Sequence, residues 1–333
     1  MINRTRIAGV VLLGIILVAV AVAPRLAPNL PDEPFADLAY LPPMWPHVIH
    51  DGGFRRPFVY PWVLTDRLSR EFKLDTSRPR QIDFFKNGRV ASTSPEPWFL
   101  LGGDPVGRDV FARLLLGGRL SLGVATLAVL LSLSLGASLG AVAGFAGGRV
   151  DRAIKAVADL VIVLPLLYVV VTLRAAMPLR LDPELIFWTM VVVMGLATWP
   201  VPARGVRAIV AAERQLPYAE SAYAVGAGPL RILLRHLLPA AAGHLGIQGL
   251  LLFPAFIFAE ATLSFVGLGF ATPTASWGSM LHDAAGIAAI TEAPWLMSPA
   301  AAIVLTVVAI QLVIRRTDGT SRRRQELVTH GTI

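Results

Sequence analysis

Apolar residues gather into six blocks along the chain, at 7–23 and at about 120–143, 154–173, 185–199, 245–266 and 300–314. Segments rich in Arg, Asp, Gly and Pro separate them. Each block is close to the roughly 20 residues that carry a helix across a bilayer. Hydrocarbon offers no partner for a free N–H or C=O, so a spanning segment must satisfy its backbone internally and the blocks are expected to be helices. The pattern therefore predicts an all-α membrane protein with about six transmembrane helices. The second block carries Ser132, Gly136, Gly140 and Gly144 at steps of four. Small residues at that spacing line one helix face and let another backbone approach closely. They fit packing within the chain or, as the sharper alternative, a subunit interface.

Lys and Arg in the connections set the orientation. With a cytoplasmic N-terminus, the inside segments hold Arg4 and Arg6, then Arg149, Arg152 and Lys155, then Arg204, Arg207, Arg214, Arg231 and Arg235, and finally Arg315, Arg316 and Arg322 to Arg324. The short outside loops hold only Arg174 and Arg180, and 267–299 holds neither Lys nor Arg. Both termini of this multi-pass chain are thus expected in the cytoplasm. The long outside segment after the first block carries both signs, which long translocated loops tolerate. The first block also has the basic start and small residues, Ala19, Ala21 and Ala23, of a secretory signal peptide. Cleaved or retained, it leaves the next segment outside.

Composition narrows the function classes. Of 333 residues, 55% are hydrophobic and only 16% charged, against about 45–50% and about 25% in soluble domains. The net charge of +8 sits between apolar blocks rather than on one soluble face, which argues against a nucleic-acid partner. There is no cysteine, and neither a GxxxxGK[ST] phosphate loop nor an HExxH pair occurs. No catalytic, cofactor-binding or metal residue is predicted, and the chain is expected not to be an enzyme. Asp159 and Glu260 lie within or at the end of apolar blocks. A carboxylate there faces a bundle interior or a polar cavity, so a structural pair or a pathway role are the two readings.

The connection between the fourth and fifth blocks is long for its side. Residues 218–225 suit a short helix with Pro217 in its first turn, and Gly226 and Gly228 break it. A second short helix is expected over 230–238, ended by Pro239. Leu230, Leu233, Leu234, Leu237 and Leu238 would form its apolar side, with Arg231 and Arg235 on another. Such an amphipathic elbow can simply lie at the membrane surface.

The string YAESAYAVGAGPLRILLRHLLP in this connection resembles the Glu-Ala-Ala loop of permeases from binding-protein-dependent ABC importers. The matching positions are Glu220, Ala222, Gly226, Leu238 and Pro239, with Ser221 where the family has its central Ala. GGDPVGRDVFARLLLGGRLSL, with Gly103 in place of Thr, the third block with Asp151, Asp159 and Pro165, and EATLSFVGLGFATPTASWGSML are similar to the C-type permease of the dipeptide, oligopeptide and nickel importers. The resemblance covers most of the chain from Gly102 to about Pro299. It implies a type I importer permease fold in a bacterial inner membrane, with a long periplasmic insert after helix 1. The expected divisions are 1–23 as the first helix, 24–118 as the insert and the lead into helix 2, 119–315 as the permease core with a coupling loop over 205–243, and 316–333 as a cytoplasmic tail. The insert and the basic tail depart from the family pattern.

The resemblance also implies partners: a second permease subunit forming a heterodimer, two ABC ATPase subunits that bind the ATP, an extracytoplasmic substrate-binding protein, and membrane lipid. No cofactor is expected in this chain. The implied activity is alternating access for peptides or a related small solute such as a nickel complex. A secondary transporter or channel working without ATP, and a membrane-bound enzyme using Asp159 and Glu260, are the rival classes.

Overall fold

The computed structural model describes residues 4–314 apart from 51–52, 67–69, 87, 94–95, 166–167, 170–171, 173–181 and 287–290. The tail expected over 316–333 and the loop arginines Arg174 and Arg180 lie outside the described residues. In chain order the helices are α1 (Arg4–Ala21), the single turn α2 (Ala23–Leu26), α3 (Val110–Ala146), α4 (Gly148–Val163), α5 (Pro183–Thr198), α6 (Pro200–Glu213), α7 (Pro217–Ala224), α8 (Pro229–Ile232), α9 (Ala242–Phe265), α10 (Trp277–Asp283) and α11 (Ser298–Ile314). Among the described residues four helical stretches are long and apolar enough to cross a membrane, or five if α5 and α6, bent by 43° at their junction, are one span. The third expected block is helical from Gly148 to Val163, and part of its remainder is outside the described residues.

Helix α3 is the axis of the bundle. Its 37 residues, at 1.5 Å each, make it about 55 Å long, well beyond the roughly 30 Å of hydrocarbon. It begins at Val110, nine positions before the expected boundary at 119. The reason is local: Asp109 caps it, accepting from the N–H groups of Phe111 at 2.9 Å and Ala112 at 3.3 Å, which satisfies two otherwise orphaned donors. Val124, Ala125 and Ala128 of α3 pack with Met194 of α5, Phe256 and Ile257 of α9, and Trp277 of α10 in the main core.

The glycine stripe packs within the chain. A Cβ on Gly136 would stand 2.5 Å from the Pro202 ring, one on Gly140 2.5 Å from the Ala203 carbonyl oxygen, and one on Gly144 2.5 Å from the Arg207 carbonyl oxygen. Helix α6 thus lies directly on α3, and Thr198 Oγ1 stands 3.0 Å from Ser132 Oγ at the same seam. The first residues of the coupling loop expected over 205–243 are helical and share this packing. Residues up to Glu213 belong to α6, because Pro200, at the first helical position after Trp199, redirects the helix without ending it.

Helix α1 packs on α11, with Gly9 seated against the backbone of Ala309 and the side chain of Leu312. The insert adds β structure to an otherwise helical chain. Its strands are β1 (His47–His50), β2 (Gly53–Val59), β3 (Trp62–Asp66), β4 (Glu71–Leu74), β5 (Arg80–Gln81), β6 (Asp83–Phe84) and β7 (Ala91–Ser92). They form three small antiparallel sheets, ordered β1-β2-β5, β3-β4 and β6-β7. The insert has its own core of Leu41, Met44, Val59, Ile82, Trp98 and Phe99, and the Trp98 indole donates to the Met44 carbonyl at 2.9 Å.

Candidate functional site

The elbow after α6 is held by one face and open on the other. Ala219 of α7 and Ile232, Leu233, Leu237 and Ala241 beyond it are buried with Ala141 of α3 and Val206 and Val210 of α6. Among the predicted site residues, Ala222 and Leu238 are partly buried against this cluster, while Glu220, Ser221, Gly226 and Pro239 are exposed. The Ser221 hydroxyl donates back to the Pro217 carbonyl at 2.8 Å. Gly226 has φ +85°, and the turn closes with Ala227 N donating to the Ala222 carbonyl at 3.0 Å. Gly226 is therefore the residue that reverses the chain between α7 and α8.

Two expectations about the second half of the elbow change. Pro239 does not end a helix. Leu233–Leu237 form a π turn, Leu238–Ala241 a 3-10 turn, and the chain runs on into α9. Proline brings no N–H, and the shift of hydrogen-bond pattern, with Leu238 N donating to the Leu233 carbonyl, carries the helix past it. The apolar side is also redistributed. Ile232, Leu233 and Leu237 face inward, whereas Leu230 and Leu234 are 68% and 54% exposed. Leu230 and Leu234 lie one turn apart, and Val225 before the Gly226 turn is 88% exposed.

Polar contacts brace the elbow's base. Arg207 of α6 makes a paired contact with Asp151 of α4, its Nη2 at 2.7 Å, and Lys155 stands 3.4 Å from the same carboxyl. The Arg207 guanidinium holds the Asp151 carboxyl down at about 2. Tyr218 donates to Glu213 at 2.6 Å, which pushes its phenol up to about 12. Arg214 donates to the Phe145 carbonyl at 2.5 Å, tying the end of α6 to the end of α3. Asp159, a candidate from the sequence, is exposed and paired with Arg204 at 2.6 Å. An exposed pair of this kind contributes about 0–1 kcal/mol.

Glu260 is fully buried. Ser264 Oγ donates to its Oε1 at 2.8 Å and accepts from Phe270 N at 3.1 Å, and the hydroxyls of Ser121 and Ser276 face the same carboxyl. Trp277 N donates to Ser121 Oγ at 3.1 Å, and the Trp277 indole to the Leu114 carbonyl at 3.0 Å. Gly278 would place a Cβ 2.5 Å from the Ala261 carbonyl oxygen. Glu260 therefore sits at a joint of α3, α9 and α10, and it is not brought near Asp159 or the elbow by any contact among the described residues.

A second buried network lies at the insert end of α3, and sequence reasoning assigned no role to it. Asp104 accepts from the N–H groups of Val106 and Arg108, both at 2.9 Å, and from Arg108 Nε at 2.6 Å. Arg108 Nη2 reaches Asp283 of α10 at 3.0 Å. Arg113 Nη1 donates to the Pro273 carbonyl at 3.1 Å and approaches Asp32 at 3.3 Å, while its Nη2 stands 3.5 Å from Asp283. Asp109 accepts from Asn29 Nδ2 at 2.9 Å, and burial pushes its carboxyl up to about 6 against these hydrogen bonds. Buried charges persist only when paired in this way. The available signal was two arginines and two aspartates crowded just before an apolar block, a costly arrangement unless they pair.

Comparison with known proteins adds to this geometry. Residues 136–324 match the family described as binding-protein-dependent transport system inner membrane component. The chain is 35% identical over 221 residues to the oligopeptide transport system permease protein OppC of Bacillus subtilis, covering 66% of this chain and 69% of that one. It is 37% identical over 222 residues to the dipeptide transport system permease protein DppC of the same organism, 66% of each chain. The di/tripeptide transport system permease protein DppC of Pseudomonas aeruginosa is 31% identical over 312 residues, 93% of this chain and 85% of the other. A helical bundle whose central seam, elbow and C-terminal helices fall within the matched region thus belongs to the binding-protein-dependent transport system inner membrane components, the membrane-embedded permeases of ABC importers.

Proposed function

We propose that this chain moves peptides, or a related small solute, inward by alternating access driven by ATP hydrolysis in two separate ATPase subunits. It pairs with a second permease and receives solute from an extracytoplasmic binding protein; it binds no cofactor and performs no catalysis itself. In this reading both termini and the elbow face the cytoplasm, which the Lys and Arg distribution supports. The observation that carries this reading is the one-sided anchoring of the elbow. Its inner face is fused to α3 and α6 through Ala219, Ile232 and Leu237, so a push on it moves the bundle rather than the loop alone. Its outer face offers Glu220, Val225, Leu230 and Leu234 to a partner. The peptide class rests on the relatives named for oligopeptide, dipeptide and di/tripeptide transport.

Energetically, the elbow transmits only a difference in its interaction with the partner between two states. Shape and rigidity around Gly226 matter, and proton transfer at Glu220 does not. The chain has no cysteine, so Val225→Cys gives a unique crosslinking handle. In membranes containing the whole importer, a short thiol-reactive crosslinker at that position is expected to capture an ATPase subunit. Consistent failure to capture it, with the ATPases present and active, would refute the docking role.

A further inference from the structure

The β6-β7 hairpin of the insert is fastened to the chain as it leaves α1. Val90 N donates to the Arg25 carbonyl at 2.7 Å, and Phe85 N donates to the Val90 carbonyl at 3.0 Å. The Arg89 guanidinium also donates to the Pro28 carbonyl. Arg25 lies four positions after the last residue of α1, Ala21. Phe85 is thus one strand spacing, about 5 Å, from a residue bonded directly to the exit of a membrane-spanning helix. The polar interfacial layer of a bilayer is about 5–8 Å deep on each side. The hairpin is therefore tied close to the point where the chain leaves α1.

What it carries there is unusual for a surface bathed in water. Phe84 is 52% and Phe85 81% exposed, next to Lys86, whose ammonium pairs with Asp83 at 2.9 Å. Phe85 has φ +55°, a left-handed conformation that a bulky residue rarely adopts. Such a conformation persists only where the surroundings impose it, and here the hydrogen bonds on both sides of the turn do so. The result holds a phenyl ring outward instead of folding it into the insert core, which lies only a few residues away at Ile82. Aromatic rings beside a basic residue are the recognised make-up of segments that dip into the boundary between headgroups and acyl chains.

We propose that the tip formed by Phe84 and Phe85 inserts into the leaflet next to the exit of α1 and fixes the height and tilt of the insert above the bilayer. The occupant is lipid, because the tip is continuous with the membrane surface where α1 ends. The proposal rests on α1 being a membrane span. Protein contacts already hold the other side of the insert, Asn29 to Asp109 at 2.9 Å and Asp32 to Arg113 at 3.3 Å; a lipid-seated tip adds support on the side of the β6-β7 hairpin.

The absence of cysteine allows a direct test in the full-length chain with its partner subunits, reconstituted in vesicles of phosphatidylethanolamine and phosphatidylglycerol. Phe85→Cys is labelled with an environment-sensitive fluorophore, and lipids carry a nitroxide either near the glycerol or near the end of the acyl chain. The expected result is a blue-shifted emission, stronger quenching by the shallow nitroxide than by the deep one, and protection from aqueous iodide. Full iodide access without lipid quenching overturns the proposal. So does protection from iodide without lipid quenching, which means that a protein surface covers the tip. Val11→Cys, near the middle of α1 and 53% exposed, serves as reference: if its label is not quenched by lipid, the spanning role of α1 fails, and the two failures are thereby told apart.

Discussion

The sharpest test of the coupling reading is a pair of substitutions two residues apart. Gly226 has φ +85°, and a Cβ built on it meets nothing within 4 Å. Any cost of adding a side chain there is conformational rather than steric. Forcing an L-residue into the left-handed region costs about 1–2 kcal/mol, and a β-branched side chain such as Val falls at the upper end or beyond. Gly228, at φ −65° and ψ 153°, also has open space around it and tolerates Ala without strain. A cost of about 1–2 kcal/mol changes the ratio of closed to open turn about 5–30-fold. With the purified importer in vesicles, solute uptake and ATP hydrolysis are measured together. Gly226→Val is expected to reach the membrane normally yet lower uptake per ATP by about the same 5–30-fold. Gly226→Asn, which tolerates positive φ, falls between, and Gly228→Ala stays near wild type. Equal effects of the two positions, or normal coupling in Gly226→Val, would refute the claim that the geometry of this turn transmits the stroke.

Three further predictions concern stability. Gly140→Ala sets a methyl 2.5 Å from the Ala203 carbonyl oxygen, an overpacking worth about 1–3 kcal/mol; it should lower the melting temperature in detergent, while Gly243→Ala, which meets nothing within 4 Å, should not. Asp283→Asn removes the anionic partner of Arg108 at 3.0 Å and of Arg113 at 3.5 Å. Breaking a buried pair costs about 3–5 kcal/mol, with the lower end apt because Asp283 retains some exposure, and faster proteolysis of the 267–286 segment is the readout. Asp109 titrates in the folded chain near 6, above its ordinary value of 3.8. Its protonated form favours folding, so that contribution is present below about 4 and is lost as pH rises through about 6. Between pH 4 and 7 wild type should therefore lose thermal stability relative to Asp109→Asn, and parallel curves for the two would count against this account.

What the sequence determined unaided is what depends on solvent alone. Apolar blocks such as 7–23 and 300–314 are legible because exclusion from water requires no knowledge of a partner, and lipid accepts all faces of a helix alike. The elbow was legible because Pro217, Gly226 and Gly228 act through their own backbones. The steps of four from Ser132 to Gly144 announced a close approach, though not to what. Tertiary structure decided the rest. That the stripe meets Pro202, Ala203 and Arg207, and hence that α6 is bundle rather than loop, depends on a 43° bend at Trp199 that composition does not reveal. Which leucines of the elbow face inward was settled by the π and 3-10 turns around Pro239, since a change in helical period rotates every later side chain. The short strands of the insert lack sustained alternation; they are formed by pairing with neighbouring strands in hairpins, β1 with β2, β3 with β4 and β6 with β7, and by the longer-range pairing of β2 with β5. The ties from Arg108 and Arg113 to Asp283 span about 170 positions of chain, and a contact of that separation exists only once α10 is folded between α3 and α9.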